Sequence, residues 1–227
     1  MAAVTEVVVA GRYNGPAGSG NGGYCCGVFA RAAGVARAEV TLRLPPPLDT
    51  PLTVDGGSVR DGDAVVATVA EAAGLADVAP PPFPGWEAAR AAEARYAGLV
   101  DHPFPTCVVC GPDRDDGLGL RPGPVADLVA TTWTPRAADA ELVWAALDCP
   151  GAWALLQTDE APIVLGRLAV EITGAVRAGE PHVVVGWRLR PREGRKHFAG
   201  TALYDAAGTL LAKGRATWVA LQSSGAS

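Results

Sequence analysis

The chain contains an internal repeat. A Gly-rich segment at positions 18–24, GSGNGGY, opens an apolar stretch, and strand-like segments follow it. About 129 residues later the segment at 148–153, DCPGAW, opens a second apolar stretch with strand-like segments behind it, so that Gly22 falls on Gly151. A repeat one small domain long predicts two copies of one fold in a single chain. We therefore expect any active site to lie between the copies.

Composition and charge exclude several classes of function. The 227 residues are 49% hydrophobic and 19% charged, which is enough apolar material for a real core. The net charge is −5 and no block of Lys and Arg stands out, whereas nucleic-acid binding needs a clustered basic surface. No stretch resembles a signal peptide or reaches membrane-spanning length. These features predict a cytoplasmic protein with neither nucleic acid nor membrane as partner.

The first copy has the pattern of one helix and several strands. A strand is expected at 6–9, a helix from Gly22 to Ala33, and a half-buried strand at 38–44, where apolar and polar residues alternate. Further strands are expected at 52–59 and 64–70. This pattern predicts an N-terminal domain over residues 1–78.

A linker and a second copy follow. Residues 79–105 combine a Pro-rich extended segment with a strong helix-forming stretch at 86–96. The second copy, 106–227, has a predicted strand at 125–133 and a helix over 141–157. Four strands then complete this copy, at 163–173, 182–190, 195–205 and 209–221. One helix with several antiparallel strands, twice, indicates the α+β class with each helix laid on a curved sheet.

Five cysteines form an odd set. Cys107 and Cys110 have the spacing of a zinc knuckle or a redox pair, but a zinc ribbon needs a second pair and the chain has none. The other thiols are distant in sequence, including Cys149, and only His102 lies close by. We therefore expect no metal and no cofactor. The pair is interpreted as a short strand that ends in a turn at 111–112.

Several motifs resemble those of the hotdog fold, in which a long helix is wrapped by an antiparallel sheet. They are the Gly-Gly helix start, the CVVCGPDRDDGLGL stretch at 107–120 and the closing hairpin at 205–219. GSGNGGYCCGVFA at 18–30 resembles the His-Gly-Gly helix start of PaaI-type hotdog thioesterases, with Asn21 in place of His. AALDCPGAW at 145–153 resembles the helix start that holds a catalytic Asp in acyl-CoA thioesterase II. The resemblance implies a double hotdog, each half a long helix wrapped by a curved antiparallel sheet.

The same resemblance implies roles for individual residues. Attack on an acyl thioester builds negative charge on the carbonyl oxygen, and the free N–H groups in the first turn of a helix can hold that charge. The resemblance implies that the amides of Gly22, Gly23 or Tyr24 do so. Asp148 would act as base or nucleophile, and Asn21 would position the substrate or the water. The acyl pocket would be lined by aromatic side chains of both helices: Tyr24, Phe29, Trp144 and Trp153.

Structural roles remain open for the same residues. Asp148 is a suitable N-cap for a helix with Pro150 in its first turn. Asn21 is equally suited to cap a helix, and the two glycines after it would ease the packing of helix on sheet. His197 follows Arg195 and Lys196, which indicates an outward-facing basic edge. The alternative for that histidine is a contact with the phosphate of a nucleotide or phosphopantetheine.

Some features of the related families are missing. Acyl-CoA thioesterase II also uses a Thr and a Gln, and the corresponding places fall near Leu165-Gly166 and Ala216-Thr217. Neither place has the right residue, although Thr217 is adjacent to one. The histidines at 102, 182 and 197 all lie away from helix starts, which disfavours the chemistry of hotdog dehydratases. Hydrolysis would thus depend on one carboxylate.

The sequence predicts an acyl thioester hydrolase that acts on acyl-CoA or on an acyl carrier protein. Two alternatives remain. One is a hotdog that binds acyl thioesters or another apolar ligand without catalysis. The other is a biosynthetic hotdog that acts on a carrier-bound intermediate. The resemblance also implies that copies of the chain could pair further as a homo-oligomer.

Overall fold

The computed structural model describes residues 4–156 and 162–221, and within them eleven strands and four α-helices are present. The N-terminal half holds β1 (Thr5–Val8), α1 (Gly22–Ala32), β2 (Ala38–Leu42), β3 (Pro51–Asp55), β4 (Ser58–Asp61) and β5 (Ala64–Glu71). A further helix, α2 (Trp86–Ala92), follows. The C-terminal half holds β6 (Gly123–Val125), β7 (Leu128–Trp133), α3 (Ala140–Ala146), α4 (Cys149–Leu156), β8 (Ile163–Ile172), β9 (His182–Glu193), β10 (Lys196–Asp205) and β11 (Leu210–Ala220).

All of these strands join one antiparallel sheet. Its order is β1-β3-β4-β5-β2-β8-β11-β10-β9-β7-β6. In the N-terminal half the strands therefore lie in the order first, third, fourth, fifth, second. Starting from β7, the C-terminal half has the same order, read toward the middle of the sheet. The α+β class and the antiparallel sheet predicted from the sequence are confirmed.

The two halves meet where β2 pairs with β8. Val40 lies opposite Leu168 in this antiparallel pair, and both side chains are fully buried. In the same strand pair, the Arg167 side chain donates a hydrogen bond to Thr41 Oγ1 at 2.9 Å. The sheet therefore continues from one half into the other without an open edge between them.

Close packing of the helices depends on glycine. α1 lies against α3, and a Cβ added to Gly27 would lie 2.8 Å from the Cα of Glu141 and 3.1 Å from the Trp144 side chain. On the sheet, a Cβ on Gly186 would collide with the carbonyl oxygen of Pro150, so this glycine lets the start of α4 lie directly on β9. These two glycines thus allow the close contact of α1 with α3 and of α4 with the sheet.

The long helix expected over 141–157 is two helices. α3 ends at Ala146 and α4 begins at Cys149, with Leu147 and Asp148 between them, while Gln157 lies outside the described residues. Pro150 cannot donate a backbone hydrogen bond to the preceding turn. Beside this break, the carbonyl oxygen of Leu147 accepts a hydrogen bond from Thr201 Oγ1 at 2.8 Å. The break places Asp148 at the start of a helix rather than in the middle of one.

Three local expectations are wrong. The strand predicted at 52–59 is the hairpin of β3 and β4, because Gly56 and Gly57 both have positive φ and form its turn. Similarly, the strand predicted at 125–133 is split by a turn at Ala126 into β6 and β7. Cys107–Cys110 forms a turn and not a strand.

The first part of the predicted linker, through α2, lies on the outer face of the C-terminal sheet. Ala89 of α2 is fully buried in an apolar cluster with residues of β7, β9 and β10. The Tyr204 hydroxyl donates to the carbonyl oxygen of Pro81 at 2.6 Å, and the Phe83 ring lies against Tyr204. Among the described helices, none is both long and apolar enough to cross a membrane.

Candidate functional site

A cavity of about 430 Å³ lies where α1 and α4 begin. Its polar wall contains Asn21 and Asp148, which come from the two different halves of the chain. Most of the remaining wall is apolar, including Phe104, Trp153, Leu156, Leu165 and Trp218. A mostly apolar cavity with a few convergent polar groups is typical of a small-molecule site.

Asp148 is the carboxylate of this cavity. Its Oδ2 accepts hydrogen bonds from the Gly23 amide and from Asn21 Nδ2, each at 2.9 Å. Its Oδ1 is buried and accepts no hydrogen bond from any described residue. Burial raises the pKa of Asp148 to about 7, although the hydrogen bond from Gly23 opposes that shift. The carboxyl group therefore bears a desolvation cost that its two hydrogen bonds only partly offset.

The Asp148 side chain does not cap its own helix. Within the described residues, both of its hydrogen bonds go to the start of α1, so it serves the first helix and not α4. The sequence left a cap on its own helix open as an alternative, and the observed contacts disagree with that alternative. The carboxylate instead links the two halves of the chain.

Asn21 performs two tasks. Its Oδ1 accepts a hydrogen bond from the Tyr24 amide at 2.9 Å and so caps α1, and its Nδ2 donates to Asp148. The Gly23 amide is likewise engaged with the carboxylate. The amide of Gly22 donates to no atom of the described residues, and Gly22 lines the cavity. Of the three amides expected to hold a carbonyl oxygen, that of Gly22 is the one left available.

The fit around Gly23 is tight. A Cβ at this position would lie 2.5 Å from the Cβ of Asp148 and 2.7 Å from the carbonyl oxygen of Trp144. Gly23 therefore lets the second half approach closely enough for its amide to reach the carboxylate.

Gly23→Ala is expected to lower the free energy of unfolding by about 1–3 kcal/mol, because the added methyl overpacks the contact between the helix starts. Urea unfolding of the variant and the wild type measures this difference. Intrinsic helix propensity alone favours Ala over Gly. A variant as stable as the wild type, or more stable, would contradict the tight contact.

The aromatic residues expected in the pocket are only partly there. Trp153 lines the cavity, whereas Tyr24, Phe29 and Trp144 are not among its lining residues. Tyr24 points away and stacks on Tyr13 with ring centroids 3.8 Å apart. Phe29 is fully buried one and a half turns further along α1, and Trp144 packs against Gly27 between the helices. These three side chains support the helices and not the cavity wall.

Other expected positions behave in different ways. Leu165 and Gly166 do line the cavity, but Thr217 is not among its lining residues. His197 is 3% exposed and lies within β10. The outward-facing basic edge predicted for this histidine is therefore wrong, because β10 is covered on both faces from His197 to Tyr204.

Three thiols gather at one side of the cavity. The Sγ atoms of Cys107, Cys110 and Cys149 all lie within 4.8 Å of one another, and those of Cys107 and Cys149 are 3.8 Å apart. His102 Nε2 lies 3.4 Å from the sulfur of Cys110. Asn21 Nδ2 is 3.8 Å from the Cys107 sulfur and 3.9 Å from that of Cys149. The thiol cluster thus borders the Asp148 site directly.

Solved structures resemble the whole chain. A protein with a hot dog fold from Alicyclobacillus acidocaldarius matches with a TM-score of 0.62 at 13% identity, covering 97% of this chain and 94% of that chain. The tesB protein of Mycobacterium avium subspecies paratuberculosis matches with a TM-score of 0.64 at 14% identity, covering 96% and 93%. The chain has the hotdog fold. A proposed thioesterase from Novosphingobium aromaticivorans also matches, with a TM-score of 0.66 at 14% identity, covering 97% and 96%.

These likenesses confirm the hotdog interpretation of the sequence at the level of the fold. No protein-family profile matches the chain, and neither does any curated protein.

Within this hotdog, two features of the site escaped the sequence interpretation. The sulfur of Cys149 lies beside those of Cys107 and Cys110, although at least 38 residues separate it from them in the sequence. The only sequence feature that places Cys149 near the site is its position next to Asp148. Thr201 of β10 is fully buried, and its hydroxyl donates a hydrogen bond to the carbonyl oxygen of Leu147 in the break between α3 and α4. Threonine is common in strands, so nothing in the local sequence marks this one.

Proposed function

We propose that this protein is an acyl thioester hydrolase that acts on acyl-CoA or on an acyl carrier protein. The observation that carries the proposal is the Asp148 carboxylate. It is buried beside an apolar cavity, its Oδ2 is fixed by Gly23 and Asn21, and its Oδ1 has no partner among the described residues. The structures with the same fold include proteins named as thioesterases, which agrees with this chemistry.

The architecture we propose is a double hotdog. Residues 1–78 and 106–227 would each form one hotdog, with 79–105 as the connection between them. The repeated strand order of the two halves supports this division. So does the position of the site, because Asn21 belongs to the first half and Asp148 to the second.

In the proposed reaction the thioester carbonyl oxygen accepts a hydrogen bond from the Gly22 amide at the positive end of α1. Asp148 Oδ1 takes a proton from a water molecule as the water oxygen bonds to the carbonyl carbon. The carbon–sulfur bond then breaks, and the protonated Asp148 returns this proton to the departing thiolate, so that the thiol leaves and the carboxylate is regenerated. Asn21 keeps the carboxylate in place through Nδ2. An amide cannot serve as the base.

Direct attack by Asp148 is the second route within the same proposal. The carboxylate would form an anhydride with the acyl group, release the thiol, and be regenerated by water. Both routes need the same carboxylate and the same amide.

A non-catalytic acyl-thioester binder is the second candidate function. One observation favours it: cavity positions near Leu165 and Gly166 offer apolar atoms where acyl-CoA thioesterase II, which this chain resembles in sequence, places a polar partner for its Asp. A binder would hold the ligand in the same cavity. The two candidates differ only in turnover.

Leu156→Trp tests whether the cavity takes the acyl chain. The larger side chain would occupy part of a cavity of about 430 Å³. We therefore expect a long-chain acyl-CoA thioether, which cannot be hydrolysed, to bind at least about tenfold more weakly. This change in affinity corresponds to a loss of about 1.4 kcal/mol in binding free energy. Isothermal titration calorimetry measures this affinity.

The matched control is Leu142→Trp, the same change at a half-buried leucine of α3 that does not line the cavity. This control is expected to bind the thioether as the wild type does. Equal affinity for the Leu156 variant and the wild type would place the ligand elsewhere.

A further inference from the structure

The thiol cluster has the dimensions of a metal site. Zinc–sulfur bonds of about 2.3 Å place neighbouring sulfurs about 3.8 Å apart in a tetrahedral site. The sulfurs of Cys107 and Cys149 are already 3.8 Å apart, and Cys110 completes a set in which no pair exceeds 4.8 Å. No pair therefore has to close by more than about 1 Å for all three sulfurs to reach tetrahedral spacing around a common ion.

We propose that Cys107, Cys110 and Cys149 bind Zn²⁺ through three thiolates beside the cavity. Soft thiolate ligands select Zn²⁺ over hard cations such as Mg²⁺ and Ca²⁺. The proposal replaces the expectation from the sequence that the Cys107–Cys110 pair binds no metal, because the fold supplies a third thiol from α4. It concerns binding of an ion and is independent of the thioesterase proposal.

Two side chains position the ligands without binding the ion. The Phe104 amide donates to His102 Nδ1 at 2.9 Å, so in the neutral ring the proton resides on Nε2. That nitrogen therefore donates to the Cys110 sulfur at 3.4 Å. Asn21 Nδ2 approaches the sulfurs of Cys107 and Cys149. Donors of this kind orient thiolate ligands and tune their affinity for the ion.

The fourth coordination position faces the cavity. All three cysteines line its wall, and each keeps 4–6% of its surface exposed. A water molecule from the cavity would complete the tetrahedron. The ion would tie the turn at 107–110 to the first residue of α4, next to Asp148, and so hold this wall of the cavity rigid.

Metal content of the purified 227-residue chain tests the proposal. The protein is prepared under reducing conditions without a metal-affinity tag, and its zinc is measured by inductively coupled plasma mass spectrometry. We expect about one zinc per chain in the wild type and a loss of that zinc in Cys149→Ala. Cys26→Ala removes a buried thiol of α1 outside the cluster, and this control is expected to keep the metal.

His102→Gln tests the hydrogen-bonding role. We expect this variant to keep the site but to bind zinc about 10- to 100-fold more weakly, as loss of an outer partner does. Complete loss of zinc in His102→Gln would overturn the assignment of His102 as a donor.

Cobalt substitution covers the case in which a cysteine variant fails to fold. Co²⁺ added to the reduced wild type is expected to give the charge-transfer absorption of cobalt–thiolate bonds and the visible bands of tetrahedral Co²⁺. No zinc in the wild type and no such spectrum would overturn the proposal. So would a disulfide among the three cysteines in freshly reduced protein, or loss of zinc from Cys26→Ala as complete as from Cys149→Ala.

Discussion

Asp148→Asn is expected to reduce kcat for acyl thioester hydrolysis by about 100- to 10,000-fold, the usual contribution of a positioned general base. The substitution keeps the size of the side chain and an oxygen that can accept from Gly23 and Asn21, so the contact between the two halves is retained. It removes the group that takes the proton or attacks the carbonyl. Rates of thiol release under saturating substrate measure the effect.

The control for this variant is Asp127→Asn, the same change at an exposed residue of the turn between β6 and β7. We expect its kcat to equal that of the wild type. Thermal unfolding of Asp148→Asn at neutral pH is expected at a temperature no lower than that of the wild type, because a neutral amide replaces a carboxylate whose burial raises its pKa to about 7. A folded Asp148 variant with undiminished kcat would exclude this carboxylate from the reaction.

Trp153→Ala is expected to lower the free energy of unfolding by about 3–5 kcal/mol. Trp153 is 4% exposed and lies edge-on to two rings from the connecting segment, with its centroid 4.7 Å from that of Tyr96 and 5.1 Å from that of His102. Its removal therefore leaves a void where α4, the connection and the cavity meet. Urea unfolding with a fixed m-value measures the loss.

Ala88→Ser is the comparison for this stability measurement. Ala88 is half-buried on α2, and the change is expected to cost about 0.5 kcal/mol through helix propensity. Equal losses at Trp153 and Ala88 would contradict the packing described for the connection and α4.

Elements with strong periodicity could be predicted from the sequence. The first helix was expected from Gly22 to Ala33 and is observed over Gly22–Ala32, and the four long strands of the C-terminal half lie close to their expected positions. Each of these elements has a long apolar pattern, and that pattern alone indicates whether the segment is a helix or a strand. The β3–β4 and β6–β7 hairpins are harder to predict, because neither the Gly pair at 56–57 nor Ala126 interrupts the strand-like run around it.

The contacts that make the site depend on residues distant in sequence. The break before Asp148 is held by Thr201, and the carboxylate reaches α1 only because Gly23 has no side chain. Which face of α1 points to the cavity was also beyond the local pattern, so Phe29 was assigned to the pocket although it packs in the core. The sequence predicts Asp148 and Asn21 as site residues, but it gives no sign of the hydrogen bond between their side chains.

The most direct test of the account is thiol release from a panel of acyl-CoA thioesters with short, long and aromatic acyl groups. We expect the wild type to hydrolyse at least one of them well above the rate of Asp148→Asn. No release beyond that rate for any acyl-CoA, or for the same acyl groups on a carrier protein, would contradict thioester hydrolysis and favour a binding protein with this fold.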